Sequence, residues 1–264
     1  MEFQKEPMFN VPGAVIATVL VLTGMYVLQA YVLDEIELIL QLAYFPVRFS
    51  LLLGYDPVQI LTDRLSLDPG NVELQQRLAL ARELVDGDAV KPWTLFTYSL
   101  LHGGCMHLVL NCVWLLAFGT AIARRFGSVR FVLFLAVTAV AGALAHTVTH
   151  LHDVMPVIGA SAAVSGCMAG AMRFAFQPGA PLGIGRSSSD QGFALPAHTL
   201  AGVFSDGRAM RFLVVWFVLN LATGIGAGSF GIVDATIAWE AHIGGFLAGL
   251  LLLPLFDPVP RYPA

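Results

Sequence analysis

Three groups of side chains stand out as able to do chemistry: Ser161, His242, and the pair His107 and Asn111. A serine hydroxyl is a weak nucleophile until a base takes its proton, so a histidine within hydrogen-bond reach is the minimum requirement. His242 is the candidate base. It sits in Ala241-His242-Ile243-Gly244-Gly245-Phe246-Leu247-Ala248-Gly249, where Ala241, Gly245 and Gly249 recur every fourth residue and make one face of small side chains. Small residues at that spacing let two membrane helices approach closely. Around Ser161 lies a matching set, Ala160, Ala162, Ala163, Ser165, Gly166, Ala169 and Gly170, so two such helices could bring Ser161 and His242 together. Acyl transfer also needs donors aimed at the oxyanion of a tetrahedral intermediate. His107 and Asn111, four residues apart, share one helix face and both can donate. The backbone N–H of Ser161, free at a helix start where the dipole favours negative charge, is the third candidate donor.

Taken singly, each feature has a plainer reading. A lone serine in a membrane helix is usually a packing or back-bonding residue, the His107/Asn111 pair could be interhelical glue, and a small-residue stripe is most often simple helix packing. A histidine inside the membrane is a functional candidate by default, with a structural hydrogen bond as its alternative. The chemical reading rests on the conjunction of all three groups on separate apolar stretches.

The elements that must position these residues follow from composition. The chain has 264 residues, 57% hydrophobic and only 12% charged, with a mean hydropathy of +0.75. A soluble domain carries about 25% charged residues, so the pattern points to the bilayer. Six largely apolar stretches are long enough, or nearly so, to cross a ~30 Å hydrocarbon core. They run from about Pro12 to Leu33, Ser99 to Ala123, Phe131 to Thr149, Ser161 to Phe176, Phe212 to Ala227 and Thr236 to Phe256. The first lacks a basic flank and a small-residue cleavage site and is followed by further spans, so it is expected to stay as a span. Cys105, Cys112 and Cys167 lack the spacings of a disulfide framework or a zinc site. A net charge of -4 offers no basic footprint, and no nucleic-acid partner is expected.

Basic residues set the orientation. Arg124, Arg125 and Arg130 follow the second span, and Arg173, Arg186, Arg208 and Arg211 flank or lie in the loop after the fourth. The loops after the third and fifth spans contain no Lys or Arg. The positive-inside rule then makes the basic loops and both termini cytoplasmic. Four regions are expected: residues 1–33 with the first span, an external loop 34–92, a membrane core 93–256, and a tail 257–264. Within the external loop, Leu74, Leu78, Ala81 and Val85 recur at helical spacing and predict an amphipathic helix at the interface or on the protein. Residues 178–207, rich in Gly, Ser and Pro, read as a flexible cytoplasmic loop.

The fourth span starts late. From Ser161 to Phe176 a helix rises only about 24 Å, less than the membrane thickness. Ahead of it, Met155-Pro156-Val157-Ile158-Gly159 demands irregular backbone, tolerated at membrane depth only when buried in protein or lining a wet cavity. Ser161 is thereby placed at a helix N-terminus partway down, facing such a cavity. The fifth span carries Trp216, Phe217 and Asn220 before the glycine-rich segment Gly224 to Gly231, and reads as a candidate gate beside that cavity, the alternative being that both aromatics face lipid.

Three sequence motifs together resemble the rhomboid intramembrane serine proteases. They are PVIGASAAVSG around Ser161, WEAHIGGFLAG around His242, and LLHGGCMHLVLN around His107 and Asn111, supported by PWTLFTYSLLHGG and GTAIARRFGS. The resemblance covers about Trp93 to Leu253. It implies an all-α membrane protein, a bacterial-type six-transmembrane-helix rhomboid-like bundle with a short, centrally starting fourth helix. By the same resemblance the cavity opens to the outer side, Ser161 is the nucleophile, and His242 is the base with no acidic third member. His107, Asn111 and the Ser161 amide hold the oxyanion, the substrates are single-span membrane proteins, and no metal or cofactor takes part. A bacterial-type inner membrane is the implied location. The sequence departs from the family pattern at Ala162, where glycine is common, at Ser165, often aromatic, at Thr94, frequently arginine, and at Ala123, commonly acidic.

Two other functions compete. A non-catalytic rhomboid-like protein that binds or chaperones membrane helices would usually lack the serine or the histidine, and a transporter would show paired broken helices and repeats. Glu240, two residues from His242 and on another helix face, is read as a rim residue near the outer surface. His146 and His150 are spaced like a metal-binding face, with His152 nearby, but no carboxylate joins them within their span; they are read as outer-interface histidines and no metal is expected.

Overall fold

A computed structural model describes residues 11–86, 90–180, 190–226 and 238–260. Among the described residues the regular elements are all helices, with one isolated β-bridge, Tyr44 with Val157. Helix α1 is Gly13–Tyr31, and the region after it holds α2 (Glu35–Leu42), α3 (Pro46–Ser50), α4 (Pro57–Leu67) and α5 (Val72–Asp86). A single turn, α6 (Thr94–Thr97), leads into α7 (Cys105–Trp114), which continues through a π-helical turn, Leu115–Gly119, into α8 (Thr120–Phe126). Then come α9 (Ser128–His150), α10 (Ser161–Met172), α11 (Leu200–Ser205), α12 (Gly207–Gly226) and α13 (Trp239–Phe256). Among the described residues, four segments are long and apolar enough to cross a membrane: Gly13–Tyr31, Cys105–Phe126, Ser128–His150 and Trp239–Phe256.

Helix α10 is the axis of the bundle. Every residue from Ala162 to Met172 is buried, which a helix built of Ala, Gly, Ser, Met and Cys permits because its neighbours can approach on all sides. A methyl group added to Gly245 of α13 would overlap the Ala162 carbonyl, and one on Gly249 would overlap the Gly166 carbonyl. On the other flank, a methyl on Gly142 of α9 would strike the Ala162 side chain and the Ala241 carbonyl, and one on Gly166 would strike Thr138. Helix α13 therefore meets both α10 and α9 backbone to backbone, while α9 and α10 touch through the Ala162 and Thr138 side chains.

The region between the first two long helices is more structured than one amphipathic helix. Asp34 and Asp56 cap α2 and α4 by accepting from Glu37 N–H and from Val58 and Gln59 N–H. Helix α5 buries Leu78, Ala81 and Leu84 against a second apolar cluster containing Phe45, Val47 and Leu61. The stripe expected from Leu74, Leu78, Ala81 and Val85 thus gains Leu84, with Leu74 and Val85 at its edge.

The expected flexible loop, 178–207, is corrected in part. Residues 181–189 lie outside the described ones, but a 3-10 turn at Asp190–Ala194 and helix α11 follow. Arg125, 5% exposed, donates to the carbonyls of Phe193 and Leu195 and pairs with both carboxylate oxygens of Asp257 at 2.8 and 2.9 Å. Arg173 donates to the carbonyls of His198 and Leu250, and Arg208 to that of Phe176. The arginines that the sequence offers as a charge marker thus also fasten this end of the bundle. Removing one partner of a buried pair leaves the other uncompensated, so Arg125→Ala is expected to cost about 3–5 kcal/mol. Thermal unfolding in detergent checks this, and an unchanged transition would contradict the anchor.

Helix α12 begins at Gly207, five positions ahead of the expected Phe212, and so takes in Arg208 and Arg211.

Candidate active site

The chain that delivers Ser161 leaves α9 at His150 and runs irregularly to Ala160. Several of its backbone polar groups find partners, as irregular backbone buried in a bundle requires. Tyr44 and Val157 exchange two backbone hydrogen bonds, Val47 N–H donates to the Asp153 carbonyl, and Gly159 N–H donates to the Tyr98 carbonyl at 3.0 Å. Arg77 of α5 meets the Asp153 carboxylate at 2.8 Å, so the external helices hold this segment too. Thr147 gives its hydroxyl proton to the Ala143 carbonyl, which leaves the Tyr44 phenol to donate to Thr147. Burial, partly opposed by this hydrogen bond, raises the Tyr44 pKa and keeps that donor protonated.

Gly159 has a φ of +116°, a region that side chains rarely adopt, and the His107 ring occupies the place of its missing Cβ. His107 Nδ1 accepts from Gly103 N–H at 3.4 Å. With that assignment the proton sits on Nε2, the ring edge that lies against Gly159, two residues before Ser161. The side chain of Asn111, 4% exposed, spends one amide hydrogen on the His107 carbonyl at 2.9 Å and keeps the other. His102 stacks edge-on against His107 with ring centroids 5.2 Å apart. Its backbone is gripped from α1 by Gln29, which donates to the His102 carbonyl and accepts from its N–H. Gly159→Ala must both strain the backbone and evict the His107 ring; if His107 is an oxyanion donor, activity should fall about 10²- to 10³-fold, as in His107→Ala. Normal turnover in Gly159→Ala would contradict the packing of His107 on this residue.

Ser161 opens α10 and is its one residue that is not buried. Ala160 provides no side-chain cap, and among the described residues no hydrogen bond occupies the Ser161 amide. His242 lies in the second turn of α13 and is half-buried. The two are brought together by the residues beside them: Ala162 packs on Gly245, and Ala162 and Ala241 both meet Gly142. Among the described residues no hydrogen bond joins the Ser161 hydroxyl to His242, a contact that commonly tightens only once substrate is bound.

The partner of His242 is one that sequence reasoning missed. Asn220 Oδ1 lies 2.5 Å from His242 Nδ1, and its amide donates to the Trp239 carbonyl at 3.3 Å. Because an amide oxygen only accepts, this contact puts the imidazole proton on Nδ1 and leaves Nε2 free to take one. Trp216, one turn earlier on α12, stacks on Phe246 of α13 with centroids 4.2 Å apart, whereas Phe217 is 45% exposed. The glycine-rich segment expected to loosen α12 falls largely on residues 227–237, outside the described ones.

Glu240 is not a bare rim residue. Its carboxylate meets His146 Nδ1 at 3.3 Å and His150 Nδ1 at 3.8 Å. Within their own helix no carboxylate joins those histidines; the third group comes from α13.

The family model for the Rhomboid domain matches residues 89–257. RHOMBOID-like protein 4 of Arabidopsis thaliana is 27% identical over 187 residues, 70% of this chain and 39% of that protein. Rhomboid protease GluP of Bacillus subtilis is 36% identical over 157 residues, 60% of this chain and 24% of its own length. Rhomboid protease GlpG of an Enterobacter species is 24% identical over 184 residues, 69% of this chain and 55% of its own length. The chain thus spans between about a quarter and three fifths of the curated relatives it matches. The domain match takes in every helix from the π-bearing second span to α13, and with it the apolar bundle around Ser161: the chain belongs to the rhomboid family of multi-pass membrane proteins.

Proposed function

We propose that this protein is an intramembrane serine protease that cuts single-span membrane proteins in or near their transmembrane segments. The observation that carries the reading is the accessible Ser161 at the start of an otherwise buried helix, packed one residue away from the helix that presents His242. In the proposed reaction His242 Nε2 takes the Ser161 hydroxyl proton as Oγ attacks the scissile carbonyl. His107, Asn111 and the Ser161 N–H hold the resulting oxyanion, and the proton then passes to the leaving amine. Water repeats the sequence to release the acyl group.

The same proposal counts α10 and α12 as the fourth and fifth of six crossings, the short α10 being covered by its neighbours rather than by lipid. Both termini and the arginine-rich end face the cytoplasm of a bacterial-type inner membrane, and the site opens outward. The functional core is residues 93–256, carried beside the external region 34–92. Expression with a panel of model single-span substrates tests the activity: cleavage by the wild type and none by Ser161→Ala is expected. Intact substrate that co-purifies with the wild type would instead indicate a binding protein.

Helix α12 is the proposed gate, because a substrate helix must arrive sideways from lipid. Its hold on α13 includes the Trp216–Phe246 stack, so Trp216→Ala should speed cleavage of a transmembrane substrate severalfold. Labelling of Ser161 by a small fluorophosphonate, which arrives through water, should hardly change. A cysteine tether from α12 to the second span should slow cleavage. Unchanged cleavage in Trp216→Ala, Phe217→Ala and the tethered protein would place access elsewhere.

A further inference from the structure

His146 and His150 stand one turn apart at the end of α9, their rings stacked with centroids 4.4 Å apart and planes within 7°. Glu240, in the first turn of α13, turns one carboxylate oxygen to each of them. One donor atom from each of the three residues falls within 4.8 Å of the others. A tetrahedral ion with ligand bonds of about 2.0–2.2 Å needs its donors roughly 3.3 Å apart, a distance the His146–Glu240 pair already has and the third group reaches by a small side-chain rotation. The side chains of His146 and Glu240 are 7% and 14% exposed and that of His150 is 38% exposed, so the cluster is walled by protein on one side and open to water on the other. As an ion pair alone the cluster is poorly balanced, since two parallel imidazoles compete for one carboxylate and His150 Nδ1 also meets the Thr149 hydroxyl at 2.9 Å. The neighbouring carboxylate, Asp153, is engaged through Oδ1 by Arg77 and the Met155 N–H.

We propose that His146, His150 and Glu240 form a binding site for Zn²⁺, with water in the remaining position, which ties the end of α9 to the start of α13. Two imidazoles and one carboxylate suit zinc better than the oxygen-seeking Mg²⁺ or Ca²⁺. The cluster stands two residues from His242, so the ion fixes the turn that carries the proposed base; the binding itself does not depend on the protease reading.

The test uses the full chain purified in detergent, stripped with a chelator and titrated with ZnCl₂ against a chromophoric competitor. One equivalent is expected to bind, and Glu240→Gln, His146→Ala and His150→Gln should each weaken binding at least about tenfold. His152→Ala, a neighbouring histidine outside the cluster, should bind as the wild type does. Co²⁺ in place of Zn²⁺ should give the intense visible absorption of a tetrahedral ion, and Zn²⁺ should raise the melting temperature of the wild type but not of Glu240→Gln. Should a variant misfold, the wild-type cobalt spectrum and stoichiometry decide alone. Substoichiometric binding by the wild type, an octahedral cobalt spectrum, or full affinity in a folded Glu240→Gln protein would each overturn the site.

Discussion

His242→Ala is expected to reduce cleavage by on the order of 10⁴-fold or more, to the level of Ser161→Ala, while the protein stays folded. The reason is that a nucleophile and its base act as a unit, so that removing either leaves only binding and oxyanion stabilisation. His107 packs on Gly159 with its Nε2 edge and His146 is engaged with Glu240, so neither is placed to substitute. Asn220→Ala should fall between this variant and the wild type. Its oxygen orients the imidazole and faces the charge that develops there, and a hydrogen bond to a charged group is worth about 1.5–3 kcal/mol, or roughly ten- to a hundredfold in rate. As a positioning residue, Asn220 should also be recognisable by rescue with Asn220→Asp and by a shifted pH–rate profile. Turnover above a few per cent in His242→Ala, measured on a single-span substrate with folding checked by thermal unfolding, would remove His242 from the role of base.

Gly245→Leu is expected to be inactive for a different reason. Even one methyl group at this position overlaps the Ala162 carbonyl, and that atom is backbone, which cannot swing aside. Gly249→Leu meets the Gly166 carbonyl in the same way. Helices α10 and α13 would have to part by several ångströms, and a displacement of about 1 Å already costs on the order of 10²-fold in a positioned reaction. Overpacking of this kind also destabilises, by about 1–3 kcal/mol or more. Both variants should therefore lose cleavage and melt earlier. Normal cleavage by either would contradict the backbone contact that brings Ser161 towards His242.

The residues at which α10 starts and the stretches that form the long helices were legible because their signals are local. Pro156 and Gly159 interrupt the helix, Ser161 restarts it, and the long apolar runs need no partner to be recognised. The helices between residues 34 and 86 were partly legible, and Asp34 and Asp56 carry capping signals that apolar periodicity alone overlooks. Partners supplied by other helices were not legible. Asn220 and His242 are 22 residues apart, and His146 and Glu240 are 94 apart. Neither spacing has a period, and only the crossing of α12, α9 and α13 makes these residues neighbours. Composition misleads over the segment from Asp190 to Ser205 for a related reason. Its order comes from Arg125 and Arg173 donating to its carbonyls, bonds that glycine and proline content cannot reveal.

A serine activated by a neighbouring histidine reacts with fluorophosphonates, and Ser161 with His242 is proposed to be such a pair. The most direct measurement is intact-mass and peptide mapping of the detergent-purified protein after exposure to a fluorophosphonate. A single adduct on Ser161 is expected, lost in Ser161→Ala and strongly slowed in His242→Ala. Folded wild-type protein that takes up no label, or label found on another serine, would contradict it.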